Sequence, residues 1–302
     1  MSLRARLLNL GCRLLGKPKL RRAQRPEPLR SHFERVALLL GGSRRGVVET
    51  SQASPFVARL VAPMAGQGDD VLLYFHGGGY IAGSPWTHRG LIRALVRATG
   101  CRVVAPVYGL GPEAPFPAAQ DDARRAWDGL VKGEVDQGRI ILGGDSAGGG
   151  LALSLLASLL AEGQRPAGLI AFSPWTDLSG SGASHVANAA TDPLFPPERL
   201  PDLVGFAAPG ADPRDPRLSP LFARFDAPPP VLIHYSATEI LRDDALRMAE
   251  VLRAGGGRVT LQCWPDTVHA WHVFHDLIPE GTEAIAQAGA FVRAILALPR
   301  AD

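Results

Sequence analysis

One short stretch restricts most of what this chain can become: Gly143-Gly144-Asp145-Ser146-Ala147-Gly148-Gly149-Gly150, entered from the apolar run Ile140-Ile141-Leu142 and left through Leu151-Ala152-Leu153-Ser154-Leu155-Leu156. This pattern predicts a strand that turns abruptly into a helix at a serine. Within it, Gly144-Asp145-Ser146-Ala147-Gly148 fits Gly-x-Ser-x-Gly. Glycines on either side let backbone segments crowd together while the serine is held on a strained turn with its hydroxyl exposed, a geometry that suits a nucleophile. The same letters would also serve a flexible Gly/Ser turn, so the assignment depends on context. A phosphate cradle is disfavoured, because no Gly-Lys-Ser/Thr follows and no Gly-x-Gly-x-x-Gly opens a helix near the N-terminus.

The context is a strand and helix rhythm. Residues 47–50 and 56–61 read as a leading hairpin, and 71–75 is a continuous apolar run, as in a strand buried on both faces. Strands are further expected at 102–107, 139–142, 169–172, 231–235 and 259–262, and helices at 91–99, 118–131, 241–254 and 284–298. Such alternation implies an α/β fold with a mostly parallel, eight-stranded sheet and helices on both faces. Residues 177–229 break the rhythm; rich in Pro, Gly, Ser and Asp, with a helical candidate near 198–206, they read as a cap or lid insertion over about 180–228. The expected organisation is therefore N-terminal helices over 1–45 and one catalytic domain over 46–302. With 302 residues and 46% hydrophobic content, the chain can bury a large core without a second unit.

Charge is concentrated at one end. Residues 1–35 hold ten Arg and Lys against Glu27 and Glu34, although the whole chain carries only +3. Leu3, Leu7, Leu10, Leu14 and Leu15 recur there at helical spacing with arginines between them, so the segment reads as amphipathic helix. It either lies on a membrane surface or forms a solvated helix over the mouth of the active site, and the second reading is preferred. A secretory signal would need a continuous apolar core and a small-residue cleavage site, and neither is present. Nucleic-acid binding is not expected, since no aromatic interleaving or recognised motif accompanies the charge. No apolar stretch reaches the roughly 20 residues needed to span a bilayer. Cys12, Cys101 and Cys263 are scattered and lack Cys-x-x-Cys spacing, which argues against a disulfide framework or a zinc site and for a reducing, cytoplasmic setting.

In a sheet of this kind, sites form beyond the carboxyl ends of the strands. His76-Gly77-Gly78-Gly79 follows the strand at 71–75 directly, and its bare backbone can turn amides toward one point. Together with the amide of Ala147, these would hold an oxyanion. A base and its orienting acid should follow the serine in chain order. Among eight histidines, His32 and His88 precede Ser146, His185 lies in the insertion and His234 inside a strand, leaving His269 as the candidate base. His269, His272, His275 and Asp276 could instead gather on a helix as a metal cluster, but no second ligand group supports this; His272 and His275 are expected on a helix surface or against the lid. Glu239 ends the strand that begins at Val231 and is the candidate acid, with Asp243 as its competitor; Asp243 and Asp244 are preferred as helix N-terminal charges.

On these motifs the chain resembles the hormone-sensitive-lipase group of α/β-hydrolases, the family IV bacterial esterases, over about residues 45–300. The family's His-Gly-Gly-Gly-aromatic loop is matched by His76 to Tyr80, and its Gly-Asp-Ser-Ala-Gly-Gly by Gly144 to Gly149. Further matches run from Tyr108 through Pro112-Glu113 to Asp121, over Asp215 to Leu221, and from Glu239 to Asp244. The resemblance implies Ser146 as nucleophile, His269 as base, and Gly78, Gly79 and Ala147 as oxyanion donors, with His76, Gly77 and Asp145 as supporting residues. Two positions depart from the common pattern: Gly109 stands where many members have Arg, and Glu239 where many have Asp. Glu239 in that place also resembles a subgroup acting on lactones and small alicyclic esters.

The expected function is hydrolysis of short- to medium-chain acyl esters or lactones by a Ser-His-Glu triad through an acyl-enzyme, with no cofactor. Tyr80, Trp86, Phe195, Phe206 and Trp271 are the expected pocket residues, and a homodimer through an edge strand or the C-terminal helix is admitted. An amidase or peptidase with the same triad, and a non-catalytic hydrolase-like ligand-binding protein, are the alternatives.

Overall fold

The computed structural model describes residues 1–66 and 68–297. Its centre is an eight-stranded sheet: β1 (Val47–Gln52), β2 (Ala58–Pro63), β3 (Val71–Phe75), β4 (Arg102–Pro106), β5 (Ile140–Asp145), β6 (Gly168–Phe172), β7 (Val231–Ser236) and β8 (Val259–Trp264). The strand order is β1-β2-β4-β3-β5-β6-β7-β8, with β1 and β2 antiparallel to their neighbours and the rest parallel. After β3 the chain moves to β4 on one side, then returns to place β5 on the other. That reversal opens a crevice at the carboxyl ends of β3 and β5, where α/β sheets bind ligands.

Ten helices accompany the sheet among the described residues: α1 (Leu3–Gly11), α2 (Lys17–Arg22), α3 (Pro26–Leu39), α4 (Arg89–Thr99), α5 (Ala118–Lys132), α6 (Ala147–Ala161), α7 (Ser184–Ala187), α8 (Leu200–Ala207), α9 (Arg242–Ala254) and α10 (Pro279–Leu296). Side-chain alternation along β3 separates two cores. Val71, Leu73 and Phe75 pack with α5, α6 and α9, while Leu72 and Tyr74 pack with α4 and α10. Helix α10 starts earlier than its apolar periodicity indicated, because Pro279 with its preset φ opens the first turn. Its expected end at residue 298 lies outside the described residues.

The N-terminal segment is divided among three helices. A wider π turn over Cys12–Gly16 joins α1 to α2, and Arg25 adopts an extended conformation ahead of Pro26, which opens α3. A residue before proline is pushed out of the helical region, so the break falls where Pro26 stands. These helices are tied to the body by polar contacts. Arg30 donates to the carbonyls of Ile81 (2.7 Å) and Gly111 (2.8 Å) and pairs with Glu113, and Lys17 Nζ donates to the carbonyls of Ala189 and Asp192.

Candidate active site

Ser146 sits between β5 and α6 with φ 54° and ψ −123°, a conformation that side-chain-bearing residues rarely adopt. The glycines around it make this turn fit. A Cβ on Gly144 would lie 2.3 Å from the Gly148 carbonyl oxygen, and one on Gly148 would lie 2.1 Å from that of Phe75. The serine is thus pressed up at the N-terminus of α6, where unpaired amides and the helix dipole favour negative charge.

Above β3, the loop from His76 to Gly79 is pinned to the serine turn by Asp145. Its Oδ1 accepts from the Gly77 amide (3.1 Å) and the Tyr74 hydroxyl (2.8 Å), and its Oδ2 lies 3.4 Å from His88 Nε2. Burial pushes the Asp145 carboxyl up, but the charge and hydrogen bond of His88, with those from Tyr74 and His76, outweigh it and hold the pKa below the ordinary value. Among the described residues no protein acceptor takes the amides of Gly78, Gly79 or Ala147. His76 is buried and does not line the cavity beside Ser146: its ring stacks on Tyr108 at 4.2 Å, and burial followed by the charge of His88 lowers its pKa to about 3.

On the far side of the crevice, His269 Nδ1 lies 2.6 Å from Glu239 Oε2. The other carboxylate oxygen of Glu239 accepts the Ser236 amide at 2.8 Å, which fixes the orientation of the carboxylate. Burial alone would lower the His269 pKa; the hydrogen bond and charge of Glu239, reinforced by Asp192 and Asp145, reverse this and hold it above the ordinary histidine value. His269 Nε2 is buried and without a partner among the described residues, and His269 and Ser146 line the same cavity. Asp243 is engaged elsewhere, accepting the Ser184 amide and pairing with Arg242, and Asp244 accepts the amides of Thr176 and Asp177.

The cavity measures about 290 Å³, and its walls are overwhelmingly apolar. Of the five expected lining residues only Phe195 is there, with its ring edge-on to His269 at 4.7 Å between centroids. Tyr80 and Trp271 are core residues in separate clusters instead, Phe206 packs against the cluster that holds Tyr80, and Trp86 is exposed beneath the Arg89 guanidinium. Part of the wall comes from the N-terminal segment, through Leu20, Leu29, Phe33, Val36 and Leu40, with Leu194 and Leu203 from the insertion and Ile81, Val273 and Phe274 from the body.

His272, expected at a surface, is fully buried. It stacks on Phe172 at 3.8 Å and exchanges a hydrogen bond with His234, Nε2 to Nδ1, at 2.9 Å. His275 is buried too, and no group of three metal-ligating side chains occurs among the described residues. Two residues that sequence reasoning passed over stand close to the site. Asp192 accepts the amides of Leu194, Phe195 and Ile240 and adds its charge to the field at His269, while His88 braces Asp145. His88 had a sequence signal in its place just beyond the glycine loop, whereas Asp192 had none beyond a polar residue before proline.

Residues 72–273 match a family model described as alpha/beta hydrolase fold. The chain belongs to the α/β-hydrolase family. Among proteins similar to this hydrolase, an acetyl-hydrolase of Streptomyces hygroscopicus is 39% identical over 268 residues, covering 88% of this chain and 89% of that one. The carboxylesterase/phospholipase LipF of Mycobacterium tuberculosis is 32% identical over 305 residues, covering 97% and 82%. A solved esterase from the bacterial hormone-sensitive lipase family superposes with a TM-score of 0.91 at 33% identity, covering 98% of this hydrolase and 99% of that chain. An esterase/lipase from an uncultured bacterium gives 0.92 at 32% identity, covering 99% and 100%. This hydrolase is accordingly one of the hormone-sensitive-lipase-like bacterial esterases.

Proposed function

We propose that this carboxylic-ester hydrolase works as a serine esterase on short- to medium-chain acyl esters or lactones, with Ser146, His269 and Glu239 as its triad. The observation that carries the reading is the His269–Glu239 pair. A carboxylate on Nδ1 at 2.6 Å selects the tautomer whose unpartnered Nε2 can accept a proton.

Chemically, His269 Nε2 takes the proton of Ser146 as its oxygen attacks the ester carbonyl, and Glu239 stabilises the imidazolium that results. Negative charge develops on the carbonyl oxygen, where the amides of Gly78, Gly79 and Ala147 donate to it; one such donor contributes roughly 3 kcal/mol to transition-state stabilisation. The tetrahedral intermediate collapses as the alcohol leaves with the proton from His269. Water, deprotonated by the same nitrogen, then attacks the acyl-enzyme and releases the acid.

A cavity of about 290 Å³ lies at the small end of ligand pockets, and its apolar wall suits an acyl chain better than a charged group. The relatives named acetyl-hydrolase and carboxylesterase/phospholipase support the ester-hydrolase reading. The test is a series of p-nitrophenyl esters from acetate to palmitate beside a matched p-nitroanilide. Expected are a maximum of kcat/KM at short to medium chains and a far slower anilide. Fastest turnover of palmitate would refute the chain-length reading, and an anilide cleaved as fast as the ester would replace the esterase with an amidase.

A further inference from the structure

The outer face of the N-terminal helix is apolar and turned to solvent. In α1, Ala5 and Asn9 are buried against the body, with Leu8 and Cys12 half-buried beside them. Asn9 Nδ2 donates to the Asp266 carbonyl at 2.9 Å and Ser2 Oγ to Glu280 at 2.9 Å, so the rotation of the helix about its axis is set. At about 3.6 residues per turn, the side opposite Ala5 and Asn9 is the row Leu3, Leu7, Leu10. Their exposures are 72%, 59% and 50%, and Leu14 and Leu15 on the next turn are 64% and 67% exposed. Arg4 and Arg6 flank the row. Residues 1–26 hold eight Arg and Lys and no Asp or Glu, and among the described residues Arg21, with Glu198, is the only one of the eight within ion-pair distance of a carboxylate.

We propose that this face docks on an anionic phospholipid bilayer, with the leucines entering the acyl boundary and the cations at the headgroups. A leucine row bordered by arginines is the pattern of a helix lying in a membrane interface, where apolar burial and attraction to anionic lipid add. A second copy of the chain is a poorer occupant, because pairing would bring two cationic faces together. No helix among the described residues is long and apolar enough to cross a membrane, so the contact is one of surface attachment. The same segment walls the cavity through Cys12, Gly16 and Leu20. Docking therefore sets the cavity wall beside the lipid boundary, where apolar esters concentrate. This last consequence rests on the esterase reading; the docking itself does not.

The experiment is co-sedimentation of the full chain with vesicles of phosphatidylcholine, alone or in equimolar mixture with phosphatidylglycerol, for wild type and the triple variant Leu3→Ser, Leu7→Ser, Leu10→Ser. These leucines carry little packing, so circular dichroism and hydrolysis of a soluble ester should be unchanged in the variant. Expected is pelleting of wild type with the mixed vesicles that weakens with added salt, and a partition coefficient lower by about tenfold or more in the variant. Arg4→Gln with Arg6→Gln should reduce the preference for phosphatidylglycerol while leaving the soluble-ester rate intact. Equal partition of wild type and the triple variant, or wild type left in the supernatant with the mixed vesicles, would overturn the proposal. So would a dimer on sedimentation velocity that the leucine substitutions convert to monomer, since the face would then belong to a second copy.

Discussion

Asp145, at the end of β5, accepts the Gly77 amide on Oδ1 at 3.1 Å, joining the candidate oxyanion loop after β3 to the turn that carries Ser146. In Asp145→Ala this amide and the Tyr74 hydroxyl would both lose a buried acceptor, a destabilisation of about 3 kcal/mol. Because the loop would no longer be held, kcat should also fall, by about 10- to 100-fold, with KM little changed. Tyr74→Phe is the contrast: it should cost about 1 kcal/mol and leave kcat near wild type, since the Gly77 bond survives. Urea unfolding and steady-state kinetics of the two variants check this.

The pH dependence of the reaction should follow His269. Its neutral form is the base, so kcat/KM should rise as pH passes upward through its pKa, which Glu239 helps to hold above the ordinary 6.5. In Glu239→Gln the raising charge is removed and burial still lowers the pKa. The acidic limb should then move to lower pH, and the plateau should fall by about 10³- to 10⁴-fold. A pH–rate profile of the variant with an unshifted limb would contradict the coupling.

Val36, on α3, lines the apolar cavity. Val36→Trp should shorten the usable acyl space, lowering kcat/KM for p-nitrophenyl octanoate by about tenfold or more while changing the acetate by less than about threefold. The ratio of the two rates is the readout, and a uniform loss on both would argue that the acyl chain lies elsewhere.

Stability should fall in mild acid through the buried pair His234 and His272. Burial lowers His234 from 6.5 to about 4, and burial with the charge of His234 pushes His272 down as well. Both groups are therefore held neutral in the fold while the unfolded chain takes up protons below about 6.5. Their contribution is present above 6.5 and is lost as pH falls toward 4. Tm measured across that interval should decline, and more shallowly in His272→Gln, which removes one titrating ring and keeps a hydrogen-bonding group toward His234.

Local patterns made the architecture legible. The continuous run from Val71 to Phe75 and the strand entering Ser146 hold their expected places, because burial on both faces and a glycine-flanked serine are properties of neighbouring residues. The depth of His272 was not legible: its spacing of three from His269 suits an exposed helix face equally well, and only packing on Phe172 and His234 places it inside. Cavity lining failed for the same reason. Trp271 and Tyr80 read as pocket aromatics by type, yet one side of the wall is set by where α3 docks, through Arg30 on the backbone of Ile81 and Gly111, a contact between distant segments that no periodicity encodes.

The most direct measurement is hydrolysis of p-nitrophenyl butyrate by wild type and by Ser146→Ala, with matched circular dichroism. Loss of kcat by about 10⁴-fold or more in the variant, with its fold intact, is the expected result for a serine nucleophile. A variant that kept more than about a tenth of wild-type kcat would contradict it, because turnover would then proceed without an acyl-enzyme on Ser146.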